Sequence, residues 1–274
     1  VHEDSTPSCI ISPKSNLFHC FGCDAGGSVI DWTMKTQKLS FREAVVWLQN
    51  QSLPLTADPS LVASSPETSC SPELIQNAAH TLLDFYHQRL LENEAAREYL
   101  LQRGLNDEAL IKHFKLGIGE RKSNEILASR RSKEGKQQRD ALREFGLLLE
   151  SGFERFSGSL VVPIINDGEV LEVYGRRIAG ENLRKNSSPH HYLPGQHAGI
   201  WNKEGVTNQK NIILCESLID AMTLWVHGFT NVTTGYGVNG VTDELLAFIQ
   251  QQNPECLYIA YDRDEAGDRA AKKL

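Results

Sequence analysis

Between Glu73 and Leu101 the apolar residues Leu74, Ala78, Leu82, Phe85 and Leu90 recur every three to five positions. That spacing lines one side of an α-helix and predicts helix through the stretch. The period then shortens. Ser159–Ile165 and Val170–Tyr174 are β-rich runs on either side of Asn166-Asp167-Gly168, the signature of a hairpin. The last third alternates: a strand at Asn211–Cys215, a helix at Leu218–Val226 closed by Gly228, and a strand at Asn231–Thr234. A helix at Thr242–Gln251, a short apolar strand at Leu257–Tyr261 and a helix from Glu265 to Leu274 follow. Strand and helix in turn predict a parallel sheet with crossover helices.

Ahead of these lies a short, turn-rich segment from Val1 to about Leu53, with a helix predicted over Ser28–Met34. A second helix is predicted around Phe41, Ala44, Val45 and Leu48, with Ser40 and Glu43 as its capping box. Gln51–Pro72 is polar and carries four prolines, which reads as a linker. The expected organisation is a small domain at 1–53, a linker at 54–72, a mixed α+β domain at 73–208 and a partial α/β domain at 209–274. The chain opens on Val1 and stops inside a predicted helix, so it is read as a fragment.

Composition narrows the class. Of the 274 residues 40% are hydrophobic and 23% charged, and no apolar run approaches the roughly 20 residues of a membrane span. Net charge is −7, which by itself argues against a polyanionic partner. Its distribution argues the other way: Lys112–Arg143 holds ten basic and four acidic residues, +6 locally against −13 elsewhere. The run Ser129–Arg139 inside it reads most simply as a solvated surface, and His190-His191 as an exposed polar loop. Trp32, Trp47 and Trp225 fall in helical patterns and read as core; Trp201, after a Gly/His loop, is the tryptophan to watch. Six dispersed cysteines fit a reducing, cytosolic compartment better than a disulfide scaffold.

Two constellations carry chemistry. Cys20-x-x-Cys23 sits in a Phe/Gly-rich turn, where two thiolates reach adjacent corners of a tetrahedron; a redox pair or a chance pair is the alternative. His2 is a third donor, with seventeen residues between it and Cys20, and Cys9 is a possible fourth. Glu216 follows the apolar strand Ile212–Leu214, Asp220 lies one helical turn on, and Asp262 and Asp264 follow the strand Leu257–Tyr261. Gly235-Tyr236-Gly237 between them is a turn that backbone and phosphate can share. Hard oxygen donors at strand ends favour Mg²⁺ or Mn²⁺, whereas the plain reading makes Asp262 and Asp264 loop acids and helix caps.

His2 to Ser8, Asn16 to Cys23 and Ala25-Gly26-Gly27 resemble the zinc-binding domain of bacterial DnaG-type primases. The strand-end Glu, Gly turn and Asp-x-Asp-x-x-Gly resemble the TOPRIM fold of that family. Phe85-Tyr86, Tyr99-Leu100, Arg103-Gly104-Leu105, Arg155-Phe156, Val162-Pro163-Ile164 and Gly175-Arg176 resemble its polymerase core. The resemblance implies one structural zinc on His2, Cys20, Cys23 and a Cys two residues before Val1. It implies catalytic Mg²⁺ or Mn²⁺ on Glu216, Asp262 and Asp264 with Asp220 in support, and nucleotide or template contacts at Arg155, Arg176, Arg177, Gly235 and Gly237. The implied function is a cytoplasmic DNA primase: a DNA-directed RNA polymerase using ribonucleoside triphosphates on single-stranded DNA, beside a replicative helicase. Another TOPRIM nuclease or topoisomerase, or a non-enzymatic single-strand-binding protein, is the alternative. The chain departs from the family where Ser157-Gly158-Ser159 replaces further arginines, and where His191-Tyr192-Leu193-Pro194-Gly195-Gln196 replaces Lys-Tyr-Leu-Asn-Ser-Pro. Arg176, Arg177, Arg184 and Lys185 are candidates to compensate.

Overall fold

The computed structural model describes residues 9–12, 17–20, 22, 25–37, 44, 47–48, 70–178, 189–237 and 240–272. The predicted Ser40–Glu43 box, most of the linker, and His2, Cys23, Arg184 and Lys185 lie outside them. The chain divides into two compact units, residues 1–65 and 66–274. Among the described residues no helix is long and apolar enough to cross a membrane.

In the first unit, β1 (Cys9–Ser12), β2 (Leu17–Cys20) and β3 (Gly26–Ser28) form an antiparallel sheet, followed by α1 (Val29–Gln37). The predicted Ser28 start shifts by one residue because Ser28 caps the helix: its Oγ accepts from Asp31 N at 3.4 Å, and its own N–H donates to Asp31 Oδ2 at 2.7 Å. Phe18 is buried edge-on against Trp32, with ring centroids 4.9 Å apart.

The second unit opens with α2 (Pro72–Glu92) and α3 (Glu94–Gln102). The helix expected to run through to Leu101 is broken at Asn93, whose side chain accepts from Ala96 N at 2.8 Å and so starts a new helix. Cys70 and Ser71, assigned to the linker by composition, belong to this unit: Cys70 is buried in its core and Ser71 caps α2. Then come α4 (Glu108–His113), β4 (Gly117–Ile118) and α5 (Lys133–Phe145). The hairpin β5 (Ser159–Asn166) and β6 (Glu169–Arg177) pairs with β4 on one edge and β7 (His190–His191) on the other. Pro163 is tolerated in β5 because β4 reaches only Leu160 and Val161, leaving the proline on an open edge.

After α6 (Lys203–Val206), the elements β8 (Asn211–Cys215), α7 (Leu218–Val226), β9 (Val232–Thr234), α8 (Asp243–Gln252), β10 (Cys256–Ala260) and α9 (Glu265–Ala271) alternate. The three strands are parallel, in the order β10-β8-β9. One apolar core joins the hairpin to this sheet: Leu160, Val162 and Tyr174 pack in the same cluster as Cys215, Leu218, Met222 and Val232. A second core, with Leu82, Tyr86, Leu142 and Phe156, lies between α2, α5 and the hairpin.

Two sequence readings change. Trp201 is a core residue, 3% exposed and stacked on Phe114 at 4.3 Å, because the apolar surface of α4 needs a lid. Arg139 is not solvated: it is buried, donating to Ala128 O at 2.7 Å, Gly135 O at 2.8 Å and Asn124 Oδ1 at 3.1 Å. Two backbone carbonyls and a side-chain amide oxygen hold that cation in place of a carboxylate.

The hairpin tip is tied to the segment entering the parallel sheet by one side chain. Asn166 Nδ2 donates to Ile200 O at 2.9 Å, and Asn166 Oδ1 accepts from Ile200 N at 2.8 Å. Ile200 is 3% exposed, so no water replaces these bonds. Asn166→Ala is expected to cost about 2–4 kcal/mol, from two stranded backbone groups. Equilibrium urea unfolding measures this, and a loss under about 0.5 kcal/mol would contradict it.

Candidate active site at the carboxyl edge of the parallel sheet

The strand order dictates where the acids fall. The chain steps from β8 outward to β9, then crosses back over β8 to place β10 on its other side. The border between β8 and β10 is therefore a switch point, where the connections leave in opposite directions and open a crevice beyond the strand ends. Glu216 directly follows β8 and Asp262 lies just beyond β10. The Asp262 N–H donates to Glu216 Oε2 at 3.3 Å. Partial burial raises the Glu216 pKa above the usual carboxylate range, and the charges of Asp262, Asp264 and Asp220 push the same way. The Asp262 N–H opposes them.

Asp264 and Asp220 are placed at the same edge but spend an oxygen locally. Asp264 caps α9, its Oδ1 accepting from Gly267 N at 2.7 Å. Gly267 is required there, since a Cβ would stand 2.1 Å from the Asp262 carbonyl oxygen. That contact gives the Asp-x-Asp-x-x-Gly spacing a steric reason. Asp220 Oδ2 accepts from Ser217 Oγ at 2.5 Å, and Ser217 caps α7. The one contact between the two strand ends is therefore the Glu216 carboxylate on the Asp262 main chain, while Asp264 and Asp220 bond within their own helix starts. Among the described residues no group of three or more His, Cys, Asp or Glu is drawn together as a metal-ligand set. Like charges explain it: each of the other two acids turns to the nearest donor instead of to its neighbours. The donor set is all hard oxygen, the kind that suits a hard divalent cation.

β9 ends at the same edge and runs into Gly235-Tyr236-Gly237. Gly237 has φ +99°, and Tyr236 N donates to Gly240 O at 3.0 Å. Tyr236 pins this segment: its hydroxyl donates to Ala198 O at 2.6 Å and its ring stacks on His197 at 4.4 Å. Behind them Glu172, 2% exposed, accepts from Leu193 N at 2.9 Å and meets His197 Nδ1 at 2.8 Å. Sequence reasoning passed over Glu172, His197 and Tyr192. The available signal was a charged residue in the buried register of a strand.

The basic residues behave differently from one another. Arg177 is exposed. Arg176 Nη1 donates to His190 Nε2 at 2.7 Å, and His190 Nδ1 lies 2.8 Å from the Tyr174 hydroxyl. Arg155 commits its Nε to Gly146 O at 2.6 Å, at the carboxyl end of α5. The pair read as an exposed polar loop is strand β7. His191 is half-buried, stacked on Phe156 at 4.9 Å, and too close to Gly175 for that residue to carry a Cβ. Burial, then the charges of Arg177 and Arg155, push its pKa down to about 4. In the first unit Cys20 is buried, and its N–H donates to Ala25 O at 2.8 Å, closing the loop that contains Gly22.

Three family models match the chain: a CHC2 zinc finger at residues 1–57, the N-terminal domain of the DNA primase catalytic core at 85–207, and a Toprim-like domain at 213–274. The DNA primase of Halalkalibacterium halodurans is 28% identical over 291 residues, covering 98% of this chain and 46% of that protein. That of Campylobacter jejuni is 27% identical over 289 residues, covering 99% and 45%. The chain thus spans just under half the length of these relatives. The zinc-binding and RNA polymerase domains of the Aquifex aeolicus primase align over 99% of this chain and 66% of that structure, with 26% identity and a TM-score of 0.60. A DnaG primase catalytic domain bound to single-stranded DNA shares the fold at 20% identity and a TM-score of 0.60, over 73% of this chain and 67% of that one.

The neutral His191 gives a pH dependence. Unfolded, it takes a proton near 6.5; folded, it resists protonation until about 4. Stability is therefore expected to fall as pH drops from 6.5 towards 4, since the unfolded state binds the proton first. His191→Gln should flatten the melting temperature across that window, and an unchanged slope would contradict the assignment.

Proposed function

The chain belongs to the bacterial DnaG-type primase family, and from that premise we infer that it serves template-directed synthesis of short RNA primers on single-stranded DNA. The observation that carries this reading is the adjacency of Glu216 and Asp262 at the switch point of the parallel sheet. The reaction joins a ribonucleotide 3′-oxygen to the α-phosphate of the next ribonucleoside triphosphate and releases pyrophosphate. Glu216, Asp262 and Asp264, with Asp220 behind them, would hold Mg²⁺ or Mn²⁺. Such ions supply charge neutralisation at the phosphates and a more acidic 3′-hydroxyl. Glu216 is the acid proposed to accept the 3′-hydroxyl proton, through the oxygen that Asp262 N does not occupy. The Gly235–Gly237 turn would allow close backbone approach to a phosphate, and Arg155, Arg176 and Arg177 would contact nucleotide or template phosphates. Residues 1–53 would form the zinc-binding domain, with His2, Cys20 and Cys23 as ligands, followed by a linker that ends before Cys70, the core subdomain up to residue 208 and the TOPRIM part at 209–274. The setting is the cytoplasmic replication fork, beside a helicase.

With Mg²⁺ or Mn²⁺ and labelled ribonucleotides on single-stranded DNA, Asp262→Asn and Glu216→Gln are each expected to lower incorporation by at least about a hundredfold. Their circular dichroism and zinc content should stay at the wild-type level. Incorporation at wild-type rates in both variants would overturn the assignment, and template cleavage without incorporation would point to a nuclease.

A chain extended upstream to place a Cys two residues before Val1 is expected to bind one zinc. Cys20→Ser or a chelator should remove the metal together with the order of residues 1–53. Zinc retained by Cys20→Ser would contradict the ligand set.

A further inference from the structure

Where the family resemblance leads one to expect further arginines after Arg155-Phe156, the chain has Ser157-Gly158-Ser159. The structure puts a different arginine there. Arg121 comes from the loop after β4, and its Nε donates to Ser157 Oγ at 2.8 Å. Its guanidinium carbon lies 5.7 Å from the centroid of the Phe153 ring, and Phe153 is 59% exposed. We propose that Arg121 and Phe153 together form a contact for single-stranded DNA that replaces the cations missing at Ser157 and Ser159. This rests on the primase reading and adds to it residues that lie outside the motifs carrying the resemblance.

Three features support the assignment. The first is that Arg121 has no carboxylate in ion-pair range among the described residues, whereas Arg89, Arg97, Arg143 and Arg269 all do. A serine hydroxyl takes one of its five N–H donors and leaves most of the fork for a phosphate. The second is that the backbone is held in place for the purpose. Arg121 has φ +62°, a region an L-residue other than Asn, Asp or Gly adopts at a cost. It is kept there by Glu154, which is 5% exposed and accepts from Arg121 N at 3.2 Å, Ser123 N at 2.7 Å and the Tyr86 hydroxyl at 2.9 Å. Those three donors engage both oxygens of Glu154, so the acid anchors the loop through its main chain.

The third feature is location and chemistry. Gly158 N donates to Gly119 O at 2.7 Å, and Ser159 is paired with Arg177 in the hairpin. Arg121 and the exposed Arg177 thus flank Gly158 on the same end of the hairpin. Two exposed cations at one end of the hairpin suit a phosphate backbone. An exposed aromatic ring beside them suits an unstacked base, which a single strand offers and an intact duplex does not.

The test is fluorescence anisotropy of a labelled oligodeoxynucleotide of about twenty bases, titrated with the full 274-residue chain across a salt series. Arg121→Asn suits the purpose because Asn tolerates positive φ and keeps the N–H that Glu154 accepts. Its melting temperature should hold or rise, its affinity should fall severalfold, and the slope of log K against log salt should flatten by about 0.7. Phe153→Ala, at an exposed ring that the fold does not need, should lose about tenfold in affinity with the slope unchanged. Adding Ser157→Arg to Arg121→Asn should restore both affinity and slope. Wild-type affinity and slope in Arg121→Asn, or wild-type affinity in Phe153→Ala, would overturn the proposal while leaving the primase reading in place. A wild-type chain that fails to bind the oligonucleotide even at low salt would overturn the primase reading and this contact with it.

Discussion

The first strand of the parallel sheet ends up in its middle, and that one topological fact sets the charge problem the molecule has to solve. With β10 and β9 on either side of β8, the chain leaves three adjacent strand ends at one edge, bearing Glu216, the Gly235–Gly237 turn and Asp262. Glu216 accepts a backbone N–H from Asp262, yet its own burial and then the neighbouring carboxylates still raise its pKa. Asp264 and Asp220 relieve part of the repulsion by capping α9 or bonding Ser217. An edge built in this way is stable only because the apolar layers beneath it are continuous with the hairpin core, from Leu160 and Tyr174 through to Leu218 and Val232.

The hairpin supplies the opposite sign. Its end carries Arg176, Arg177 and Arg155, and the loops around it are fixed by buried acids that do no chemistry themselves. Glu172 holds the loop at Leu193 and His197, and Glu154 holds the loop at Arg121 and Ser123. Both satisfy their oxygens with N–H or O–H donors, which is how a buried carboxylate is tolerated. Arg121, whose main chain Glu154 holds, is left exposed.

Much of this was legible in the sequence. The alternation from Asn211 onward placed β8, α7, β9, α8 and β10 to within about a residue, because each strand is a short apolar run bounded by turn or capping residues. The strand-end positions of Glu216 and Asp262 followed from it. The break at Asn93 was missed because the apolar period continues across it, and only a side-chain cap reveals the new helix. Trp201 and Arg139 were misjudged for a related reason: local sequence shows neither the aromatic partner that covers Trp201 nor the carbonyls gathered around Arg139. Asp264 satisfies both readings at once, as a helix cap by geometry and an acid of the edge by position.

The claim on which the account turns is that the carboxylates of this edge are arranged for divalent ions and not merely tolerated as loop acids. Crystals grown with Mn²⁺ and measured at an anomalous wavelength test it directly. The account predicts an anomalous peak within about 2.0–2.6 Å of oxygens of both Glu216 and Asp262, with Asp264 or Asp220 turned towards it, and no such peak in Asp262→Asn crystals. An edge free of anomalous density at millimolar Mn²⁺, with Asp264 still capping α9 and Asp220 still bonded to Ser217, would contradict it.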